Sequence, residues 1–510
     1  MDDTKICLIN DSFPPVVDGV ANAVVNYGTR ISLEHAKAVV VTPYYPDADD
    51  SVYPFEVVRY PSIDMTKALG YRAGMPFSAD VLGRLEEEHF DLIHCHCPVT
   101  SAMLARTLRS RIDRPIVFTY HTKFDIDIAN AVKSRLMREE AARILVQNIA
   151  ACDEVWTVSR GAGENLRSLG YEGEYLVMPN GVDFPRGRVD DETSRAVAEG
   201  LDLPEDVPVF LFVGRMMWYK GIRLILDALK ILDKKAADFR MVFVGSGTDR
   251  DAITAYCTEL GLDGKVFFLP AIRDREAIRA WYCRADLFLF PSTFDTNGLV
   301  VREAAACALG SVLVRGSCAA EDVEDGVNGL LIEETAESMA AVLQPLLHDR
   351  SVMRRVGEGA QRDLYLSWSD AVAKAYERYG AVMENYRSGR RADVNGADDE
   401  LFRTLGEAIA RFNLAREYQR IARESAVLNY AGIRTGISEE FDRMRAMSEE
   451  DAALAASRLE DLRARVNAAG AELAAGRKRL AEEAQGLQSD LRVRLRAALE
   501  EIRHPSDRFL

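Results

Sequence analysis

"FLFVGRMMWYKGIRLIL", residues 210–226, joins a buried apolar run to an amphipathic pattern through a glycine. The apolar run predicts a strand that ends at Gly214, and Lys220-Gly221 opens the next helix. A buried strand that passes directly into a helix is the repeating unit of a parallel sheet covered on both faces. The stretch therefore predicts an α/β fold.

Two cations flank the exit of this strand, Arg215 and Lys220, five residues apart. An arginine fork and a lysine point charge at that spacing can reach one pyrophosphate. The alternative is a pair of solvated surface cations, which does not explain why both flank a strand exit.

The same alternation continues on both sides of the stretch. The segment from about residue 207 to about residue 332, which includes this stretch, predicts six strands: VPVFLFVG, FRMVFVG, KVFFLP, ADLFLFP, GSVLVR and NGLLI. Upstream, seven more are predicted: KICLIN, AVVVTP, FEVVRY, DLIHCH, PIVFTY, EVWTVS and YLVMP. A turn-rich break, MPNGVD (178–183), separates the series, and a helical segment at about 351–388 closes the second. We expect two doubly wound, Rossmann-like domains facing across a cleft, residues 1–180 and 181–390.

The tail, residues 391–510, has an all-helical pattern. Apolar residues recur there at a spacing of seven, at Leu459, Val466, Leu473, Leu480 and Leu487. This is a coiled-coil repeat, although the partner seam is weaker, with Leu462, Ala469, Gly476, Glu483 and Asp490. The pattern predicts self-association, a hairpin within the tail, or a helix of another protein as the partner.

The bulk composition limits the partners and the compartment. A formal net charge of −16 over 510 residues argues against non-specific binding to nucleic acid. The N-terminus shows no secretory signal pattern, and no run of about 18 apolar residues occurs. Eight scattered cysteines suit free thiols in a reducing compartment. We expect a cytoplasmic protein. The basic stretch 131–145 predicts either a peripheral contact with the inner face of the membrane or an ordinary surface helix.

"HCHC", His94 to Cys97, combines residue types that bind metals. These residues end a buried-strand pattern, so alternate side chains point to opposite faces of the sheet. We therefore favour a strand end with two small thiols over a metal site.

Two further strand-to-helix turns carry candidate binding groups. In "NDSFPPVVDGVANAV", Asp18-Gly19 precedes a helix from about Val20, where backbone N–H groups can approach an anion; a plain turn glycine is equally compatible. In "PSTFDTNGLVVREA" (291–304), Gly298 starts a helix to about Leu309 that Thr296 or Asn297 can cap.

The carboxylates of Asp295 and Glu303 bracket the N-terminus of that helix, where the N–H groups of Gly298 and Leu299 carry positive potential. A diphosphate between two sugars fits this pattern, with a hexose near Asp295 and a ribose near Glu303. The alternative is one helix-capping Asp and one surface Glu.

Taken together, the motifs resemble the retaining glycosyltransferases of family 4, which have the GT-B fold. The resemblance covers about residues 5–385 and rests on motifs in family order: PPVVDGVANAV, DLIHCHCP, YHTKFDID, VMPNGVD, VGRMMWYKG, VFVGSGTDRDAI, FFLPAIRDREAI and FDTNGLVVREAAAC. It implies transfer of a hexose from a nucleotide-diphosphate sugar, with retention of configuration and without a metal ion or other cofactor.

The resemblance also implies roles for particular residues. Arg215, Lys220 and the amides of Gly19, Gly298 and Leu299 would hold the donor diphosphate. Glu303 would bind the ribose, and Ile272 and its neighbours would contact the base. Asp295 would bind the donor sugar, with His121 beside it. The catalytic set is thus His121, Asp295, Arg215 and Lys220.

Two departures from the family pattern bear on the donor sugar. Asp295 replaces the usual Glu, which shortens its reach by one methylene, and Asn297 stands where an aromatic residue is common. UDP-glucose is the expected donor, by its frequency in the family, and YHTKFDID resembles the branch that acts on glycolipid acceptors. One alternative is a non-catalytic scaffold whose tail binds a partner. A dehydrogenase is disfavoured because VGSGTDRD lacks the third glycine of its fingerprint.

Overall fold

The computed structural model describes residues 3–16, 18–66, 72–124, 128, 134–389 and 402–403. These fall into two compact units, and the larger contains residues 3–76, 90–105 and 113–389 with their gaps. In the smaller unit, Arg111 pairs with Glu86 at 2.7 Å, and the Arg106 guanidinium lies 4.0 Å from the ring centroid of Phe402. The predicted coiled-coil tail repeat lies outside the described residues, so its association stays a prediction.

The N-terminal part of the chain forms a parallel sheet of seven strands in the order β3-β2-β1-β6-β7-β8-β9. Its elements in chain order are β1 (Lys5–Ile9), α1 (Gly19–Arg30), a π-helix (Ile31–His35), β2 (Lys37–Pro43), β3 (Glu56–Tyr60), β4 (Ser62–Asp64), β5 (Arg72–Gly74), α2 (Ala79–Glu87), β6 (Leu92–Cys95), α3 (Thr100–Ile112), β7 (Ile116–Tyr120), α4 (Arg135–Ala150), β8 (Glu154–Thr157), α5 (Arg160–Ser168) and β9 (Leu176–Val177). Strands β4 and β5 form a separate antiparallel pair.

The C-terminal part forms a second parallel sheet, of six strands in the order β12-β11-β10-β13-β14-β15. Its elements are α6 (Asp191–Ala196), β10 (Val209–Val213), a 3₁₀ turn (Trp218–Lys220), α7 (Ile222–Lys234), β11 (Arg240–Val244), α8 (Arg250–Glu259), β12 (Val266–Leu269), α9 (Arg275–Arg284), β13 (Leu287–Phe290), α10 (Leu299–Ala306), β14 (Ser311–Val314), a second 3₁₀ turn (Cys318–Ala320), β15 (Leu330–Ile332), α11 (Ala336–Leu346), α12 (Arg350–Asp363) and α13 (Trp368–Arg387). The two sheets confirm the predicted fold and contain every strand that the sequence predicts.

Each sheet has a switch point where the strand order reverses. Strands β1 and β6 are neighbours in the first sheet, and β10 and β13 in the second. Ligands of open parallel sheets bind outside the strand ends at such points. The turn after β10 carries Arg215 and Lys220, and the loop after β13 carries Asp295, so the topology brings these residues to one edge.

The last helix packs where the sequence did not place it. We expected the segment at about 351–388 to close the second domain, but α13 buries its apolar face on the first sheet. Trp368 and Tyr379 share a core cluster with Ile6, Leu8 and Trp156, and the rings of Tyr379 and Trp156 stack with centroids 5.4 Å apart. Helix α13 thus ties the end of the second series to the first sheet.

Three other expectations concern surface and redox properties. All eight cysteines are free thiols, as the sequence predicts. In α4, Arg135 pairs with Glu139 at 2.9 Å and Arg143 pairs with Glu140, which leaves little net positive charge and favours the ordinary surface helix. No helix in the described ranges is long and apolar enough to cross a bilayer.

Candidate active site

The turn after β10 is held against the loop after β13 by a glycine contact. Gly221 has a left-handed φ of 76°, and a Cβ there would lie 2.6 Å from the carbonyl oxygen of Pro291. Only glycine combines this backbone conformation with so close an approach. Lys220 is therefore delivered directly to the loop that carries Asp295.

Lys220 and Asp295 form the centre of the site. The ammonium Nζ donates to Asp295 Oδ1 at 2.6 Å, and the Lys220 side chain is only 7% exposed. The rings of Tyr219, Phe290 and Phe294 surround the ammonium with centroids within 6.0 Å. A cation in such an aromatic, poorly hydrated setting interacts more strongly with nearby anions than one in bulk water.

Two buried polar atoms beside this pair lack partners. Asp295 Oδ2 and Asn297 Nδ2 are inaccessible to solvent and make no hydrogen bond to any described residue. Buried polar atoms in native proteins are rarely left unsatisfied, because the desolvation cost is not recovered. One acceptor and one donor in neighbouring positions are the groups that would bind sugar hydroxyls.

Arg215 lies five residues before Lys220, on the turn that follows β10. Its side chain is exposed, and its guanidinium carbon lies 5.9 Å from the Tyr219 ring centroid. Within the described part of the chain, no carboxylate forms an ion pair with it. The guanidinium is thus exposed, and its contact with a diphosphate stays a prediction.

Helix α10 begins with an uncapped N-terminus. Gly298 is its N-cap residue, with a left-handed φ of 58°, and a Cβ there would lie 2.8 Å from the Ala319 Cβ. The expectation that Thr296 or Asn297 caps this helix is wrong. The Thr296 hydroxyl donates instead to the His121 carbonyl at 2.7 Å. The helix also ends at Ala306 rather than near Leu309.

Glu303 is held by two residues that the sequence did not single out. Arg275 donates to Glu303 Oε1 at 2.7 Å, and the Tyr282 hydroxyl donates to Oε2 at 2.9 Å. Burial, together with the charge of Glu303, raises the pKa of Tyr282 well above its usual range. Arg275 and Tyr282 lie seven positions apart on α9, hence on one face of that helix. The carboxylate is fixed, and each oxygen keeps a second lone pair for a ligand.

Ile272 lies in a loop at a strand exit, and Gly19 is the first residue of the helix that follows β1. Ile272 is half-buried in the loop between β12 and α9 and packs on the second core. Gly19 is exposed at the start of α1, but Asp18 already accepts from the N–H groups of Val20 and Ala21, at 2.8 and 2.7 Å. The backbone N–H of Gly19 itself is therefore the group that this turn can offer to an anion.

His121 belongs to a ladder of buried imidazoles. Its Nε2 lies 3.0 Å from His96 Nδ1, while the two nitrogens of His94 contact the hydroxyls of Tyr379 and Thr119 at 2.6 and 2.7 Å. Burial lowers the pKa of His121 to about 3. Among the described residues no three or more metal-binding side chains converge, and the HCHC histidines hydrogen-bond within the protein.

Loops from the two sheets meet at the site. Besides the contact from Thr296 to His121, Lys123 Nζ lies 3.5 Å from the Thr293 carbonyl oxygen. Glu321, which the sequence did not single out, accepts from the N–H groups of Arg160 and Gly161 at 2.6 and 2.5 Å, at the start of α5. Because the Thr296 hydroxyl contacts the His121 carbonyl directly, His121 and Asp295 lie on adjoining loops.

Comparison with known proteins identifies the family of the chain. The model described as Glycosyltransferase Family 4 matches residues 17–186, and the model described as Glycosyl transferases group 1 matches residues 194–363. D-inositol 3-phosphate glycosyltransferase from Xylanimonas cellulosilytica is 30% identical over 325 residues, which cover 60% of this chain and 76% of that protein. Alpha-monoglucosyldiacylglycerol synthase from Acholeplasma laidlawii is 23% identical over 358 residues, which cover 68% and 88%.

A solved structure extends the likeness to the fold. Anabaena HepE, crystallised with UDP and glucose, superposes with a TM-score of 0.58 at 18% identity, over 74% of this chain and 100% of that one. The two Rossmann-like sheets of this chain form the GT-B fold. The chain belongs to the glycosyltransferases of the family 4 and group 1 type.

Proposed function

We propose that the chain transfers a hexose, with UDP-glucose as the favoured donor, to an acceptor hydroxyl, with retention of configuration and without a metal ion. The observation that carries this proposal is the buried pair of Lys220 and Asp295 beside two unpartnered polar atoms, Asp295 Oδ2 and Asn297 Nδ2. A diphosphate and a hexose together would satisfy the charge and both polar atoms.

The diphosphate lies against Arg215, Lys220 and the N-terminus of α10 in this proposal. Lys220 donates one of its three N–H groups to Asp295, which leaves two for phosphate oxygens. The amides of Gly298 and Leu299 add the positive end of an uncapped helix. These groups stabilise the negative charge that develops on the leaving diphosphate. Because two side-chain cations already stabilise the negative charge of the diphosphate, turnover needs no metal ion.

The sugar and nucleoside follow from the position of the diphosphate. Asp295 and Asn297 bind hexose hydroxyls, with His121 on the adjoining loop. Glu303, fixed by Arg275 and Tyr282, accepts from the ribose hydroxyls, and Ile272 contacts the base. Gly19 contributes its own N–H to the phosphates. Retention enters the proposal from the family that the motifs resemble.

Glucose is favoured because HepE was crystallised with UDP and glucose and the A. laidlawii relative is named for a glucosyl lipid. The two relatives are named for a monoglucosyl lipid and for inositol 3-phosphate, so an acceptor hydroxyl is the group common to both. A glycolipid acceptor remains part of the proposal, with a peripheral membrane contact that lipid-vesicle flotation would test.

A donor screen tests the proposed reaction. Nucleotide release is measured with UDP-glucose, UDP-galactose and GDP-mannose, each with and without EDTA. We expect the highest kcat/KM with UDP-glucose, unchanged by EDTA, and loss of release in Lys220→Ala but not in the exposed control Lys234→Ala. Activity that EDTA abolishes and manganese restores would contradict the metal-free mechanism. Absence of release with every donor would contradict the function.

A further inference from the structure

A cavity of about 690 Å³ lies beside the donor residues. Small-molecule sites in proteins typically enclose roughly 300–1,000 Å³. Its walls include Lys123 and the α5 residues Glu164 and Asn165 from the first sheet, and Tyr219, Phe294 and Glu334 from the second. Tyr219 and Phe294 also surround the Lys220 ammonium, whereas Glu164, Asn165 and Glu334 take no part in the donor site described above.

The cavity shares a wall with the Lys220–Asp295 pair. The rings of Tyr219 and Phe294 pack with centroids 4.6 Å apart, and Lys220 Nζ lies 5.5 and 5.8 Å from the two centroids. Tyr219 is 37% exposed, so one ring offers an apolar face to a ligand. A molecule in the cavity is thus separated from the charges that bind the donor by the aromatic rings of Tyr219 and Phe294.

The polar lining favours hydroxyl groups. Glu164 and Glu334 offer carboxylate acceptors, and Lys123 offers an ammonium donor. On the same wall, the Tyr120 hydroxyl donates to Asn165 Oδ1 at 2.8 Å. Donors and acceptors around an exposed aromatic face suit a polyhydroxylated ring, whose hydroxyls need partners while its C–H face packs on the aromatic side chain. An acyl chain would offer no hydrogen-bond partner to the carboxylates of Glu164 and Glu334 or to the ammonium of Lys123.

The charge of the lining opposes an anionic ligand. Among the lining residues that the structure describes, Lys123 is the single cation, and Glu164 and Glu334 form no ion pair there. Two carboxylates against one ammonium give a net negative site, which repels a phosphorylated ring and accepts a neutral one.

We propose that this cavity binds the uncharged, polyhydroxylated ring of the acceptor. The inference rests on the proposed glycosyl transfer and specifies its acceptor. The same ring chemistry occurs in a free glycoside and in a glycolipid head group, so the experiment must separate those two sources.

The acceptor test compares three acceptors with UDP-glucose as donor: methyl glucoside, monoglucosyldiacylglycerol in detergent micelles, and inositol 1-phosphate. For the wild type we expect transfer to the first two and a higher KM for the phosphorylated ring. Equal kcat/KM for the two neutral acceptors identifies the ring alone as the substrate. A higher value for the lipid identifies a glycolipid.

Charge reversal in the cavity provides the decisive variants. Glu164→Lys and Glu334→Lys should each lower the KM for inositol 1-phosphate about five- to tenfold, because two charge units change at about 7 Å from the ligand in a well-hydrated site. The KM for methyl glucoside should rise and that for UDP-glucose should not change. The control Glu172→Lys makes the same charge change on an exposed residue outside the cavity lining and should leave all three values unchanged.

The outcomes separate this proposal from the function on which it rests. If Glu164→Lys and Glu172→Lys alter the acceptor KM values equally, the cavity is not the acceptor site, while glycosyl transfer stands. If the wild type releases no nucleotide, saturation-transfer NMR with methyl glucoside still tests whether the cavity binds the ring. A signal that weakens in Glu164→Lys but not in Glu172→Lys supports a ring-binding cavity, and no signal overturns it.

Discussion

Replacing Lys220 by Met removes the ammonium at the centre of the site while keeping most of the apolar stem. The Lys220 side chain is 7% exposed and that of Asp295 is 23% exposed. Breaking a fully buried ion pair costs about 3–5 kcal/mol, because the remaining charge loses its partner. Because Asp295 keeps some access to water, we expect a loss of about 2–3 kcal/mol in unfolding free energy for Lys220→Met.

The double variant Lys220→Met/Asp295→Asn should recover much of this loss, because no unpaired charge remains. Measurements of UDP affinity should distinguish the roles of Lys220 and Asp295. Lys220→Met should weaken UDP binding about 10- to 150-fold, the effect of losing a charge-assisted contact of about 1.5–3 kcal/mol. Asp295→Asn should leave UDP affinity within about threefold, because UDP lacks the hexose, yet lower kcat/KM for UDP-glucose.

Isothermal titration calorimetry with UDP and urea unfolding, run on the two single variants, the double variant and the exposed control Lys234→Met, provide these values. A folded Lys220→Met protein that binds UDP like the wild type would refute the placement of the diphosphate. Equal losses of UDP affinity in Lys220→Met and Asp295→Asn would show that the two residues do not act on separate parts of the donor.

Three other predictions concern the ribose contact, acid stability and the tail. Glu303→Gln should weaken UDP binding about tenfold, the loss of one charge-assisted hydrogen bond; 2′-deoxy-UDP should bind the wild type about as poorly, and calorimetry showing that the two losses add in full would contradict a shared contact. Burial lowers the pKa of His121 to about 3 and the pKa values of His94 and His96 well below the usual range. The unfolded imidazoles take up protons near pH 6.5 and the folded ones do not. Lowering the pH from 6.5 to 5.5 should therefore cost about 1 kcal/mol of unfolding free energy per imidazole, and urea midpoints that do not change over this range would contradict it. A chain ending near residue 390 should keep donor turnover, because every proposed site residue except Glu334 lies at or before residue 303; light scattering that gives equal monomer masses for both chains would remove self-association through the tail.

The strands were predictable because each is a short apolar run bounded by turn residues. VFLFV in β10 and LFLF in β13 show buried faces on both sides, which only a covered parallel sheet provides. The short pair β4 and β5 was missed because none of its residues is buried and they carry no such pattern. The π-helix at Ile31–His35 likewise continues α1 without a sequence signal.

The placement of Lys220 and Asp295 at one edge of the sheet was predictable, because each follows a strand exit, but the ion pair between them was not predicted. The site was not predictable where a partner is set by packing between helices. Arg275 and Tyr282 precede Glu303 by 28 and 21 residues, and only the packing of α9 on α10 brings them together. Thr296 has the composition of a helix cap, but its hydroxyl bonds to the His121 carbonyl, 175 positions away.

A crystal structure of the chain with UDP tests the central claim most directly. The account predicts phosphate oxygens within hydrogen-bond distance of Lys220 Nζ, Arg215 and the amides of Gly298 and Leu299, with the ribose hydroxyls on Glu303. A diphosphate bound elsewhere, or a site that stays empty at saturating UDP, would contradict it.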